Sequence, residues 1–122
     1  VPLVSVTSHE LAHAWFQGVL ATNEMKHEWM DEGSASYFGD LAESYVLGSD
    51  FYRSIYNSYY RYISLANSGQ EMPQATNSNR YKFNRAYEST AYSKGFVFLS
   101  QLRYIILSKR EGKATREVLC LA

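Results

Sequence analysis

This 122-residue chain has one cysteine, two prolines and no surplus of charge of either sign. Each scarcity excludes something. Cys120 has no partner for an internal disulfide, and a lone cysteine among apolar neighbours reads as a small buried hydrophobe, not a reactive thiol. Twelve basic residues balance twelve acidic ones. Nothing therefore argues for a nucleic-acid or anionic-membrane partner, because both need a basic surface. No apolar run approaches the ~18 residues that would suggest a membrane span. No positively charged start leads into an apolar stretch, so no signal peptide is readable. Alternating apolar and polar runs are also missing, which leaves no convincing strand.

What remains is the mix of an ordinary globular protein, 46% apolar and 20% charged, with length enough for one hydrophobic core. Val1-Pro2-Leu3-Val4 begins inside an apolar stretch, and Val118-Leu119-Cys120-Leu121-Ala122 reads as a helix cut short. The expectation is that residues 1–122 form one all-α unit belonging to a longer protein.

Period-3.6 patterning predicts four helices. The first runs from about Pro2 to Leu20, with Pro2 suited to a first helical position and Thr7 and Glu10 at capping-box spacing. Leu11, Ala12, Trp15 and Val19 share its apolar face. The second runs from about Met30 to Leu47 with a stripe of Ala35, Phe38, Leu41, Ala42 and Tyr45, and Gly48 as its stop. Ser49 or Asp50 can cap a third, ending near Ala66, whose apolar and aromatic face holds Phe51, Ile55, Tyr59, Tyr62, Ile63 and Ala66. Gly69, Pro73 and three asparagines make residues 69–84 a loop. A last helix is expected from about Tyr92 to Lys109, with Phe96, Leu99, Leu102 and Ile106 inward, Lys109 and Arg110 near its negative end and Gly112 beyond.

His9-Glu10-Leu11-Ala12-His13 is the strongest chemical signal. Histidines at i and i+4 lie one above the other on a helix face, so both imidazoles can reach one ion at ~2.0–2.1 Å. Glu10 can approach a water at the same ion. A catalytic zinc needs a third protein ligand and an open fourth position. Glu32 follows His13 after eighteen intervening residues, enough for a helix end, a loop and a new helix start. It falls in a first turn, where the helix dipole favours a carboxylate. The plainer reading is a histidine pair on a half-buried face and a surface glutamate.

The flanking residues separate the two. Glu32 lies within Trp29-Met30-Asp31-Glu32-Gly33-Ser34-Ala35. H-E-x-x-H, eighteen residues, then a glutamate inside W-x-N-E-G-x-A is the pattern of the aminopeptidase N family, and the chain resembles that gluzincin family over about residues 3 to 107. A second match is Ala91-Tyr92-Ser93-Lys94-Gly95-Phe96, similar to the family's Y-x-K-G segment. The resemblance implies the helical segment of a thermolysin-like zinc peptidase catalytic domain. It implies one Zn2+ on His9, His13 and Glu32, Glu10 as general base for the attacking water, and Tyr92 as hydroxyl donor to the oxyanion. Tyr87 nearby reads as structural or substrate-facing.

Asp31 stands where the family has asparagine. Gly39 stands where it often has glutamate, and Asp40 lies roughly 100° further round the helix. The groups that orient His9 and His13 are therefore left open. The family's G-x-M-E-N strand, whose glutamate binds a substrate's free α-amine, has no counterpart in the 122 residues. Removal of N-terminal residues from a peptide substrate is thus implied by resemblance alone. A thermolysin-like zinc endopeptidase is the alternative, as is a zinc-binding helical fragment inactive in isolation. The rest of a parent protein is the expected partner that completes the cleft.

Overall fold

A computed structural model describes residues 2–110, and among them every regular element is helical. Helix α1 spans Pro2–His13 and continues, with wider turns, as a π-helical stretch Ala14–Val19. Thr7 and Glu10 lie inside α1, so the helix does not use their capping box. Helix α2 spans Glu28–Leu47 and ends at Gly48, whose φ of 66° is left-handed, a conformation that glycine adopts without a Cβ penalty. Helix α3 spans Phe51–Asn67. Asp50 caps it, its carboxylate accepting from the Tyr52 backbone N–H at 3.0 Å.

Helix α4, Asn84–Glu88, passes through a π-helical turn, Ser89–Lys94, into helix α5, Gly95–Arg110. The last helical run therefore begins eight residues before the expected start at Tyr92. Ala86, Thr90 and Ala91 are fully buried in it, and its extra turns carry Tyr92 inward. Between α3 and α4 the chain is irregular save for a short turn at Ser78–Arg80. Glu71 anchors this loop, accepting from Lys94 Nζ at 2.6 Å and from the Tyr62 hydroxyl at 3.1 Å. Gly112, Cys120 and the terminal apolar stretch lie outside the described residues. No described helix is long and apolar enough to cross a membrane.

Two close helix crossings fix the site. A Cβ on Gly33 would sit 2.8 Å from the Cα of Gly95, so α2 and α5 meet backbone to backbone. A Cβ on Gly39 would lie 3.1 Å from His9 Cα, so α1 also runs close to α2, though less tightly. This is the position where the family often has glutamate, and here the short contact favours glycine. A side chain there would need α1 to give way by a few tenths of an ångström at His9.

The core lies where α2, α3 and the α4–α5 run meet. Ala35, Tyr37, Leu65, Ala86, Ala91 and Phe96 are buried. Tyr37 stands edge-on to Phe96 at 5.1 Å and to Phe51 at 5.3 Å, a favoured aromatic geometry. Several expected inward positions are not buried. Leu11, Trp15 and Val19 of the first helical run are 60% exposed or more. Phe38, Tyr45, Tyr59, Ile63, Leu102 and Ile106 are also exposed, as is Ala42. Periodicity groups residues on one face but does not say what covers it. In α1 the face packed on α2 is the one carrying His9 and His13.

Candidate metal centre

The i, i+4 spacing on α1 puts His9 and His13 side by side, and the α1–α2 crossing brings Glu32 beneath them. His9 Nε2 lies 3.0 Å from His13 Nε2 and 3.2 Å from Glu32 Oε2. His13 Nε2 lies 3.4 Å from the same oxygen. The three side chains retain 21–23% exposure, so solvent reaches the point on which they converge.

The hydrogen bond to Glu32 holds the His9 imidazolium above its ordinary value, against the opposing effect of burial. For Glu32 burial is the largest influence and raises its pKa, but hydrogen bonds from His9 and Tyr92, with the charges of both histidines, bring it below the ordinary carboxylate value.

Asp31, buried at 3% exposure, supplies the orienting contact. Its Oδ1 lies 2.8 Å from His13 Nδ1. An imidazole whose Nδ1–H donates to a carboxylate presents its Nε2 lone pair to an ion. Asp40 does not play this part. It is half-buried, accepts from Ser54, and meets His9 only through the longer-range field. Asp31 was legible as a departure from the family pattern, but its contact depends on how α1 crosses α2.

Tyr92 comes from the π-helical turn before α5. Its ring stacks near-parallel to that of His9, with centroids 6.1 Å apart, and its hydroxyl reaches Glu32. Burial first, then the Glu32 charge, push the phenol well above its ordinary value, so it stays a proton donor at neutral pH. Tyr87 stands edge-on to Tyr92 at 6.5 Å and hydrogen-bonds to Glu28. Glu10 and Tyr92, with His9 and Tyr87, line one groove of about 850 Å³. His9 thus belongs both to this groove, with Glu10 and Tyr92, and to the cluster it forms with His13 and Glu32.

Comparison with known proteins agrees. The model of the peptidase family M1 domain matches residues 2–118. The chain belongs to peptidase family M1. Aminopeptidase N of Rattus norvegicus is 27% identical over 106 residues, covering 82% of this chain and 11% of that protein. Leucine aminopeptidase 2 of Aspergillus oryzae is 30% identical over 110 residues, covering 84% of this chain and 17% of that protein. Aminopeptidase M1-B of Oryza sativa subsp. japonica is 26% identical over 120 residues, covering 91% and 13% respectively. This M1 segment spans between about a tenth and a sixth of the length of these relatives. No solved structure gives a significant match.

Proposed function

We propose that this M1 segment carries the metal centre and the proton-transfer groups of a zinc-dependent aminopeptidase. One observation carries the reading. Two histidine nitrogens and a glutamate oxygen stand 3.0, 3.2 and 3.4 Å from one another, and adjacent ligand atoms in a tetrahedral zinc site with ~2.0–2.1 Å bonds are roughly 3.3 Å apart. Two imidazoles and one carboxylate, with solvent access to a fourth position, are a donor set of catalytic zinc. A bound Zn2+ supplies Lewis-acid polarisation of the scissile carbonyl and a lowered pKa for water.

The protein's own groups supply the rest. His9, His13 and Glu32 hold the ion, and Asp31 fixes the tautomer of His13. The Glu10 carboxylate takes a proton from the attacking water and returns it to the leaving amine nitrogen. The Tyr92 hydroxyl donates to the oxygen on which negative charge develops.

The relatives are named as aminopeptidases, which favours removal of N-terminal residues over internal cleavage. Their activity belongs to much longer chains. The 122-residue segment alone is accordingly expected to bind metal but to turn over substrate weakly, since misplacing a substrate by ~1 Å can cost 10²-fold. The test pairs metal analysis of the purified segment with an alanyl-anilide assay of a full-length protein carrying it. One equivalent of zinc and turnover abolished by a chelator are expected. Absence of stoichiometric metal in both proteins overturns the reading.

A further inference from the structure

The groove beside the metal centre has a chemical bias that the peptidase reading does not use. Helix α1 forms one wall, presenting Ser5, Val6, His9 and Glu10, and Ser36 and Asp40 of α2 form the floor. The far wall is α3, through Ser58 and Arg61. Ser89 and Ser93 close the end near Tyr92. Five of the lining residues are serines, and Arg61 is the groove's only lysine or arginine.

The helical register explains how Arg61 comes to be there. Ser54, Ser58, Arg61 and Leu65 fall on one flank of α3. Leu65 is fully buried and Ser54 donates to Asp40, so this flank is held against α2. Arg53, the other arginine of α3, lies roughly 100° round the helix from this flank and does not line the groove. Arg61 forms no ion pair among the described residues, and its side chain is exposed to the groove's solvent. The carboxylate at the floor, Asp40, is engaged by Ser54. The groove thus offers one guanidinium that is in no ion pair among the described residues, with several hydroxyl donors, in a lining shared with His9 and Tyr92 and with the carboxylates of Glu10, Asp40 and Glu88. Guanidinium and hydroxyls are the donors a carboxylate takes best.

Resting on the peptidase reading above, we infer that Arg61 is a specificity-determining residue. It receives a carboxylate on the leaving-group side of the scissile bond. One source is the C-terminus of a short peptide. The other is an acidic side chain directly after the cleaved bond. One extended residue advances ~3.3–3.6 Å, and a pocket of 300–1,000 Å³ is of ordinary size for a small ligand. A di- or tripeptide with a free C-terminus fits such a space.

The experiment uses a full-length protein and two substrate pairs sharing the same first residue. Ala-Gly-Gly is compared with its C-terminal amide, and Ala-Glu-Gly-amide with Ala-Gln-Gly-amide. Wild-type kcat/KM should favour the carboxylate member of at least one pair by about tenfold, mainly through KM. The first pair reports the C-terminus and the second the side chain. Arg61→Gln should bring that ratio to near one, and Arg61→Lys should retain part of it. Equal ratios in wild type and Arg61→Gln would overturn the inference, whether both preferences are present or both absent. Cleavage of the amides by wild type reads the peptidase reaction separately. If all four peptides are left intact, the underlying peptidase reading has failed and the inference with it.

Discussion

His13 Nδ1 and Asp31 Oδ1 lie 2.8 Å apart, joining the second histidine of α1 to the residue immediately before Glu32 on α2. The contact leaves His13 Nε2 beside His9 and Glu32. Removing the carboxylate should free the ring while leaving all three ligands in place. Asp31→Ala should weaken zinc affinity by roughly 10–100-fold, and Asp31→Asn, which keeps an acceptor oxygen, by less. Competition with a chromophoric chelator measures both. Equal affinity in Asp31→Ala and wild type would remove Asp31 from the site.

The ligands themselves should behave differently from their support. His9→Ala and Glu32→Ala should abolish stoichiometric metal in the purified chain, because two remaining donors make a poor zinc site. Elemental analysis after dialysis reads the result. Unchanged zinc in both variants would refute the assignment.

Chemistry and metal binding should separate at Glu10 and Tyr92. In a full-length protein, Glu10→Gln should keep its zinc and lose turnover, since the amide is near-isosteric but cannot accept the water proton. Tyr92→Phe should lower kcat by roughly 10²–10³ with a smaller change in KM, because its hydrogen bond forms mainly in the transition state. Steady-state kinetics on an alanyl-anilide decides both. Full activity in Glu10→Gln would overturn the mechanism.

Helix spacing should be sensitive at one glycine and indifferent at another. Gly33→Ala places a Cβ 2.8 Å from the backbone of Gly95, and neither helix can yield without moving core residues. A loss of about 1–3 kcal/mol is expected. Gly18→Ala, with nothing within 4 Å of the new methyl, should be neutral or stabilising by up to ~1 kcal/mol. Thermal denaturation of the two variants checks the contrast, which disappears if α2 and α5 are not in backbone contact.

The metal-free site should have its own pH optimum. The folded value of His9 lies above its ordinary 6.5. Its contribution to stability is therefore complete below 6.5 and lost as pH rises through the folded value. Glu32 lies below its ordinary 4.5, so its contribution is present above 4.5 and lost as pH falls through the folded value. With chelator present, the pair should contribute most between these two ordinary values and fade on either side. Urea midpoints across that range, compared with those of Glu32→Gln, measure the difference. Parallel curves for the two proteins would contradict the pairing.

The sequence by itself determined the class of fold and named the candidate site residues. His9 and His13 share a helix face because 3.6 residues per turn place i beside i+4. Gly48 marks the end of α2 because it tolerates a left-handed φ. Glu32 and Tyr92 were found from the residues around them, since local motifs are preserved in local sequence. The tertiary structure decided what touches what. Asp31 orients His13, and Gly39 lets α1 approach α2, only because two helices far apart in sequence cross at one angle and one distance. The same crossing determines that Leu11 and Trp15 stay exposed while the histidine face is covered. Periodicity records which side chains point together. The partner of each face, and so the completed site, depends on long-range packing, which no single helix encodes.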